Sequence, residues 1–393
     1  MTKEKKAPQA YKKKEAQHPG SNTRLIEILE HVPDPRGPSC NFKHPLTTVL
    51  FITIVCSLCG ANDWEIIVVQ AQAMKDWLSR YIDLSQGIPC VRTFKRVFEA
   101  ICPDKMETML IDVMDILREK KDRDVISFDG KTLRGTSASE KGLKGIHILN
   151  AWSKDNGICI GQTKVDDKSN EITAIPELMD LLDLKGTIIT TDALNTQKTT
   201  ANKAIEKEAD YFLPVKGNHP SLQEEIELLF NEAEQEGYKG FDADDLETIE
   251  KAHGRVESRK YYSLDAEGLP SAQEWTGMSS VGKVIRERTE KGTTTKEIHY
   301  YISSCEVDAG ILEMVTRGHW GVENGLHWSL DVIFREDKLR YRERNGARNM
   351  STIRKITLGV LGRDKTVRCG REGKRLLAAT DSMYREKILK NLF

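Results

Sequence analysis

The hydrophobic period changes from helical to strand-like at Asp122, and that change restricts the possible folds more than any other feature of the chain. Before it, apolar residues recur at helical spacing: Leu25, Ile28, Leu29 and Val32, then Leu46 to Cys59, Trp64 to Leu84, and an amphipathic stretch from Thr93 to Ile101 that Pro103 closes. Turn residues separate these pieces at Asp34-Pro35-Arg36-Gly37-Pro38 and at Gly87-Ile88-Pro89. After it, Val125-Ile126-Ser127-Phe128 reads as a strand running into Asp129-Gly130, and Gly145 to Trp152 and Gly157 to Val165 read as two more. A helix over Ile172 to Leu182, a fourth strand over 186–192 ending on Asp192, a helix over Thr196 to Glu208 and a fifth strand over Tyr211 to Val215 follow. Strands that first meander and then alternate with helices indicate an α/β domain with a mixed sheet, preceded by an all-α N-terminal domain.

The expected organisation is a basic flexible tail over 1–21, a helical domain over 22–122 and an α/β domain over 123–393. From about 237 to 305 helical periodicity fades, and Arg259 to Leu264, Ser280 to Arg288 and Lys296 to Ser304 read as a β-rich insertion. Because helical character resumes from Gly310 to Asp337, the insertion is expected to return to the same sheet. With 59 Lys and Arg against 60 Asp and Glu, a uniformly cationic coat is excluded, so any polyanion surface has to come from local clustering. The longest apolar run, Thr47 to Ala61, is shorter than the roughly 18 to 20 residues that span a bilayer, and reads as a buried helix. No apolar signal segment follows the first methionine, so a cytoplasmic location with no membrane partner is expected. Cys56 and Cys59 form the one CxxC pair among eight cysteines and lie inside that run, which suits buried thiols rather than zinc.

Asp129 and Asp192 each leave a buried, β-branched strand at the rim where sites form in mixed α/β sheets. One such aspartate is an ordinary turn former; two together suggest chemistry. Gly130, lacking a Cβ, permits close approach of a ligand backbone. Farther on, His319, Glu323, His327 and Asp331 recur every four residues and share one helix face. A zinc set of His319, Glu323 and His327 lacks the HExxH order. Carboxylates from distant segments suit hard divalent cations, and paired ions about 3.5–4 Å apart stabilise both oxygens of an in-line phosphoryl displacement. The absence of a nucleophile elbow, a Walker A loop and a dinucleotide fingerprint agrees with this. Between Arg335 and Arg375 fourteen Lys or Arg face five acids, an expected phosphate-binding patch whose basic residues point outward while Ile353, Ile356, Leu358 and Leu361 pack. Trp275 reads as a core residue rather than a base-stacking one.

Several motifs together resemble the DDE insertion-sequence transposases with an RNase H-like fold, in the branch of the H-repeat-associated proteins of Rhs elements. They include Cys59-Gly60-Ala61-Asn62-Asp63-Trp64, Phe128-Asp129-Gly130-Lys131, Lys168-Ser169-Asn170-Glu171-Ile172, Thr191-Asp192-Ala193-Leu194, Lys216-Gly217-Asn218, His253-Gly254-Arg255, Tyr300-Tyr301-Ile302-Ser303-Ser304 and the block from His319 to Asp337. The resemblance implies an RNase H-like mixed sheet flanked by helices, with Asp129, Asp192 and Glu323 as catalytic and metal-binding residues. It implies two Mg²⁺ ions, replaceable by Mn²⁺, and a β-rich insertion between the second and third acids. The implied activity is cleavage at insertion-sequence ends and strand transfer to target DNA, by a homodimer on double-stranded DNA in the nucleoid. Alternatives are an inactive DNA-binding relic and a metal-dependent nuclease that joins no strands. Lys131, Lys216, Asn218, Arg255, Arg317, His319, Arg340 and Arg342 are the expected DNA contacts. Related families carry Tyr, Arg and Lys around the third acid, where this chain has Thr316, His319 and Leu330, and Cys90-Val91-Arg92 follows Gly-Ile-Pro where Ser and a His-Asp pair are frequent. Without metal, the clustered acids are expected to hold a proton on at least one carboxylate.

Overall fold

Runs of β-branched and aromatic residues form strands here because a half-buried pleated surface accommodates them. The computed structural model describes residues 23–37, 43–137, 144–166, 170–252, 255–290, 292–339, 343–390 and 392–393. The described strands are β1 (Val125–Leu133), β2 (Ile146–Ser153), β3 (Ile158–Val165), β4 (Ile188–Thr190), β5 (Asp210–Val215), β6 (Ala243–Ala252), β7 (Arg255–Asp265), β8 (Ser280–Glu290) and β9 (Thr293–Ser303). They join in the order β3-β2-β1-β4-β5-β9-β8-β7-β6. β1, β2 and β3 form an antiparallel meander, while β4 lies parallel to both β1 and β5. The first five strands thus have the RNase H-like arrangement.

The insertion does return to the same sheet: β9 pairs antiparallel with β5, from Phe212 opposite Ser303 to Val215 opposite Tyr300. Strand β6 was not expected. Its acidic sequence forms the outer edge with most side chains exposed, and charges on an edge strand that discourage further pairing also mask the apolar alternation. Trp275 is buried, edge-on to the His219 ring.

The two sheet faces carry different layers. Ile126, Phe128 and Ile189 belong to the main core with the N-terminal helices, whereas Val125, Ile188 and Phe212 pack beneath the helix Ala309–His319. Helix Leu46–Leu58 is buried nearly all round, and the thiols of Cys56 and Cys59 are buried and free. Among the described residues no helix is long and apolar enough to cross a membrane.

Helices Arg344–Arg363, Arg371–Thr380 and Ser382–Leu389 complete the layer begun by the N-terminal helices. Asn349 Nδ2 donates to Phe98 O at 2.8 Å, Arg375 Nη2 to Ser57 O at 2.8 Å, and Leu25 N to Leu392 O at 2.8 Å. This packing overturns part of the outward-facing basic patch, although Arg335, Lys338, Lys365 and Arg368 are exposed as expected. Arg354, Lys355, Lys374 and Arg375 are buried. Arg354 Nη1 bonds Glu336 Oε1 at 3.0 Å, Arg348 bonds Glu107 at 2.9 Å, Lys355 bonds Gln162, and Lys374 Nζ bonds Leu361 O at 3.0 Å. Helix Arg344–Arg363 is enclosed over most of its length, so cations on its sides meet protein acceptors instead of water.

Candidate carboxylate and metal centre

The last residue pair between β1 and β4 is Ser127 with Thr190. Two residues beyond it on each strand stand Asp129 and Asp192. Asp129 is not at a strand end: β1 continues to Leu133, supported by β2, because the hairpin partner extends past the point where β4 stops. On β4 the chain instead turns into the short helix Ala193–Asn195, which Asp192 caps by accepting from Asn195 N at 3.0 Å. A short polar side chain that caps its own turn explains why this segment leaves the sheet here.

Glu323 arrives from the helical face. Val322, Leu326, Leu330, Ile333 and Phe334 pack against Trp152 and Cys159, so one side of this segment is pinned to the sheet. A Cβ on Gly325 would lie 2.6 Å from Trp152 Cζ2, and its absence allows that approach. Glu323–His327 forms a π turn, in which Trp328 N donates to Glu323 O five residues back. Such widened turns recur at functional sites. Here it directs both Glu323 and His327 toward β1: His327 Nδ1 lies 3.5 Å from Asp129 Oδ2 and 3.9 Å from Glu323 Oε2. Donor atoms of Asp129, Glu323 and His327 all fall within 4.8 Å of one another.

Electrostatics fit a cation-binding role. Burial, then the charges of Glu171 and Glu323, push Asp129 up to about 7. Burial also raises Asp192, against the bond from Asn195. His327 is lowered to about 4 by burial and by the charges of Lys131 and Lys355, so its imidazole is neutral and free to donate a lone pair. Two carboxylates, a neutral imidazole and a proton shared unwillingly make a donor set suited to a divalent ion, which would displace that proton. The proton-holding acid expected from the clustering is Asp129.

Glu171 is a carboxylate that the sequence reading did not assign to the site. Its Oε1 accepts from His147 Nε2 at 2.6 Å and its Oε2 from Asn195 Nδ2 at 2.6 Å. Burial pushes its pKa up, but these bonds outweigh burial and keep it below the usual range. A Cβ on Gly130 would overlap the Glu171 carboxylate and the His147 ring, so the space expected for a ligand is filled from within. A cavity of about 450 Å³ opens beside this group, lined by Thr132, Lys144, His147, Leu194 and Asn195 among others.

Residues 120–359 match the family described as the transposase DDE domain, and residues 26–114 match its associated segment. The chain belongs to the DDE transposase family. A putative transposase, YncI, of Escherichia coli O157:H7 is 37% identical over 93% of this chain and 94% of its own length. The H repeat-associated putative transposase YhhI of E. coli strain K12 is 37% identical over 93% of this chain and 97% of its own. A solved piggyBac transposase synaptic complex with hairpin DNA aligns at a TM-score of 0.41 and 12% identity, covering 93% of this chain and 77% of that one.

The transposase places its expected DNA contacts differently from one another. Lys216 is exposed and near enough to act electrostatically on Asp192 and His319. Asn218 is exposed and donates to Ala193 O at 2.7 Å, tying its loop to the turn after Asp192. Arg317 pairs with Glu250 at 2.6 Å and Glu313 at 3.3 Å. Arg255 is half-buried on β7. His319 is half-buried, lowered to about 4 by burial and the Lys216 charge, and its Nδ1 has no hydrogen-bond partner. Lys131 faces inward, bonded to Asp331 Oδ2 at 2.7 Å. Arg340 and Arg342 lie outside the described residues.

Proposed function

We propose that this chain is a DNA transposase that cleaves insertion-sequence ends and transfers the strand to target DNA, with Asp129, Asp192 and Glu323 as its metal-holding catalytic residues. The observation that carries this reading is the meeting of Asp129, Glu323 and His327 within 4.8 Å; Asp192 stands outside that group but near enough for its charge to act on Asp129. When bound, a pair of Mg²⁺ ions, or Mn²⁺ in their place, supplies Lewis-acid stabilisation to the entering and leaving oxygens of the phosphodiester. The chain's own contribution is placement. Asp129 is held by a strand paired on one side, Asp192 by its capping bond, and Glu323 by a helical segment fixed to Trp152. His327 adds a neutral donor at the same point.

Lys216, Asn218, Arg255, Arg317 and His319 are the proposed contacts to the DNA backbone, together with Arg340 and Arg342 farther along the sequence. Lys131 belongs to that group only if its bond to Asp331 opens. The active form is a homodimer holding double-stranded element ends in the nucleoid.

The test is cleavage of DNA carrying the inverted repeats that flank the gene, in Mg²⁺, by wild type and Asp192→Asn. Wild type is expected to nick and join strands; Asp192→Asn is expected to bind the DNA and cut nothing. Nicking by the variant overturns the residue assignment, and cutting without joining by wild type leaves a nuclease.

A further inference from the structure

The same two hydrogen bonds that occupy Glu171 connect it to the turn that Asp192 caps and to the side of β1. From Oε2 the path runs to Asn195 Nδ2 at 2.6 Å, and Asn195 N in turn donates to Asp192 Oδ1 at 3.0 Å. From Oε1 it runs to His147 Nε2 at 2.6 Å, whose Nδ1 lies 2.9 Å from Thr132 Oγ1 on β1. Asn195 is 1% exposed, so its side chain has no water to turn to. Gly130, next to Asp129, leaves open the space that the Glu171 carboxylate takes. Glu171 begins the helix Glu171–Leu181.

We propose that Glu171 is a positioning residue: through Asn195 it fixes the orientation of Asp192, and through the gap at Gly130 it fits against the strand beside Asp129, so that the two aspartates face the same ion site. This rests on the reading of Asp129 and Asp192 as metal-holding residues. Both Glu171 oxygens already accept hydrogen bonds, so its action is indirect and its loss weakens the site without removing an ion-holding acid. Groups that orient metal ligands typically contribute about 10–100-fold to metal affinity or activity.

The experiment is calorimetric titration of Mn²⁺ into the full chain, alongside thermal unfolding without metal. Four proteins are compared with wild type: Glu171→Gln, Asn195→Ala, Gly130→Ala and Asp192→Asn. Gly130→Ala displaces the Glu171 carboxylate without changing it, and Asn195→Ala cuts its path to Asp192 without touching its charge. About tenfold weaker Mn²⁺ binding is expected for each of the first three, with DNA cleavage recovering at raised Mn²⁺ because the ion-holding acids remain. Asp192→Asn is expected to lose cleavage at every Mn²⁺ concentration. If Glu171→Gln fails to fold, Gly130→Ala and Asn195→Ala still decide the matter. Wild-type Mn²⁺ affinity in both of those overturns the positioning role; normal cleavage by Asp192→Asn instead overturns the reading on which it rests.

Discussion

Two charged regions of this molecule obey opposite rules. Around helix Arg344–Arg363 buried cations are matched: Arg354 with Glu336, Arg348 with Glu107, Arg375 with backbone carbonyls. Around Asp129 like charges are gathered, and the nearby cation Lys131 is bonded to Asp331 instead. The matched region supports the fold, since a buried charge is tolerated only with partners. The mismatched region has a cost in the metal-free protein that a bound cation would relieve. Buried charge therefore points to function here only where its compensation is missing.

Glu323→Gln makes the largest break in this comparison, because the Glu323 side chain is 59% exposed and packs little. Cleavage is expected to fall at least ~10³-fold, the loss of several kcal/mol of charge stabilisation, with the unfolding temperature unchanged. A small loss in a cleavage assay would place the third acid elsewhere. The converse is Glu336→Ala, which leaves Arg354, Lys355 and Lys131 facing a gap. It is expected to lower stability by about 3–5 kcal/mol in denaturant titration while the protein that remains folded still cleaves DNA.

Asp129→Asn acts in the opposite direction on stability. Because folding raises this group to about 7, the native state holds a proton that the unfolded chain has released, and stability falls as pH rises from about 4 toward 7. In EDTA the variant is expected to be more stable than wild type at pH 8, by up to a few kcal/mol at roughly 1.4 kcal/mol per tenfold change in proton affinity. At pH 4 the two are expected to unfold nearly together; an equal gap at both pH values would contradict the charge explanation. The smallest effect is expected from Lys216→Ala: the fold holds, and the salt dependence of DNA binding drops by about one phosphate contact.

The core strands were legible because their β-branched runs carry their own period, and Asp129 and Asp192 were legible as acids at the ends of those runs. Glu323 became specific only through family resemblance, since a four-residue polar stripe also describes a solvated helix face. Glu171, though part of a motif that carries the resemblance, was given no role in the site because an acid in the first turn of a helix is favourable for local reasons. Nothing local reveals that Asn195 and His147 converge on it. The basic block misled for a related reason: Arg348 finds Glu107 at a separation of 241 residues, and Lys355 finds Gln162 at 193, partners that a count over a window cannot include. Strand β6 was hidden by edge charges that protect it from pairing.

The bond from Leu25 to Leu392 has a consequence for biosynthesis. The helix Arg24–His31 has part of its seat built from a segment far later in the chain, so it must wait, partly uncovered, until that segment has been synthesised. An unfinished copy would expose apolar surface to chaperones and proteases, and synthesis itself would thereby favour intact chains.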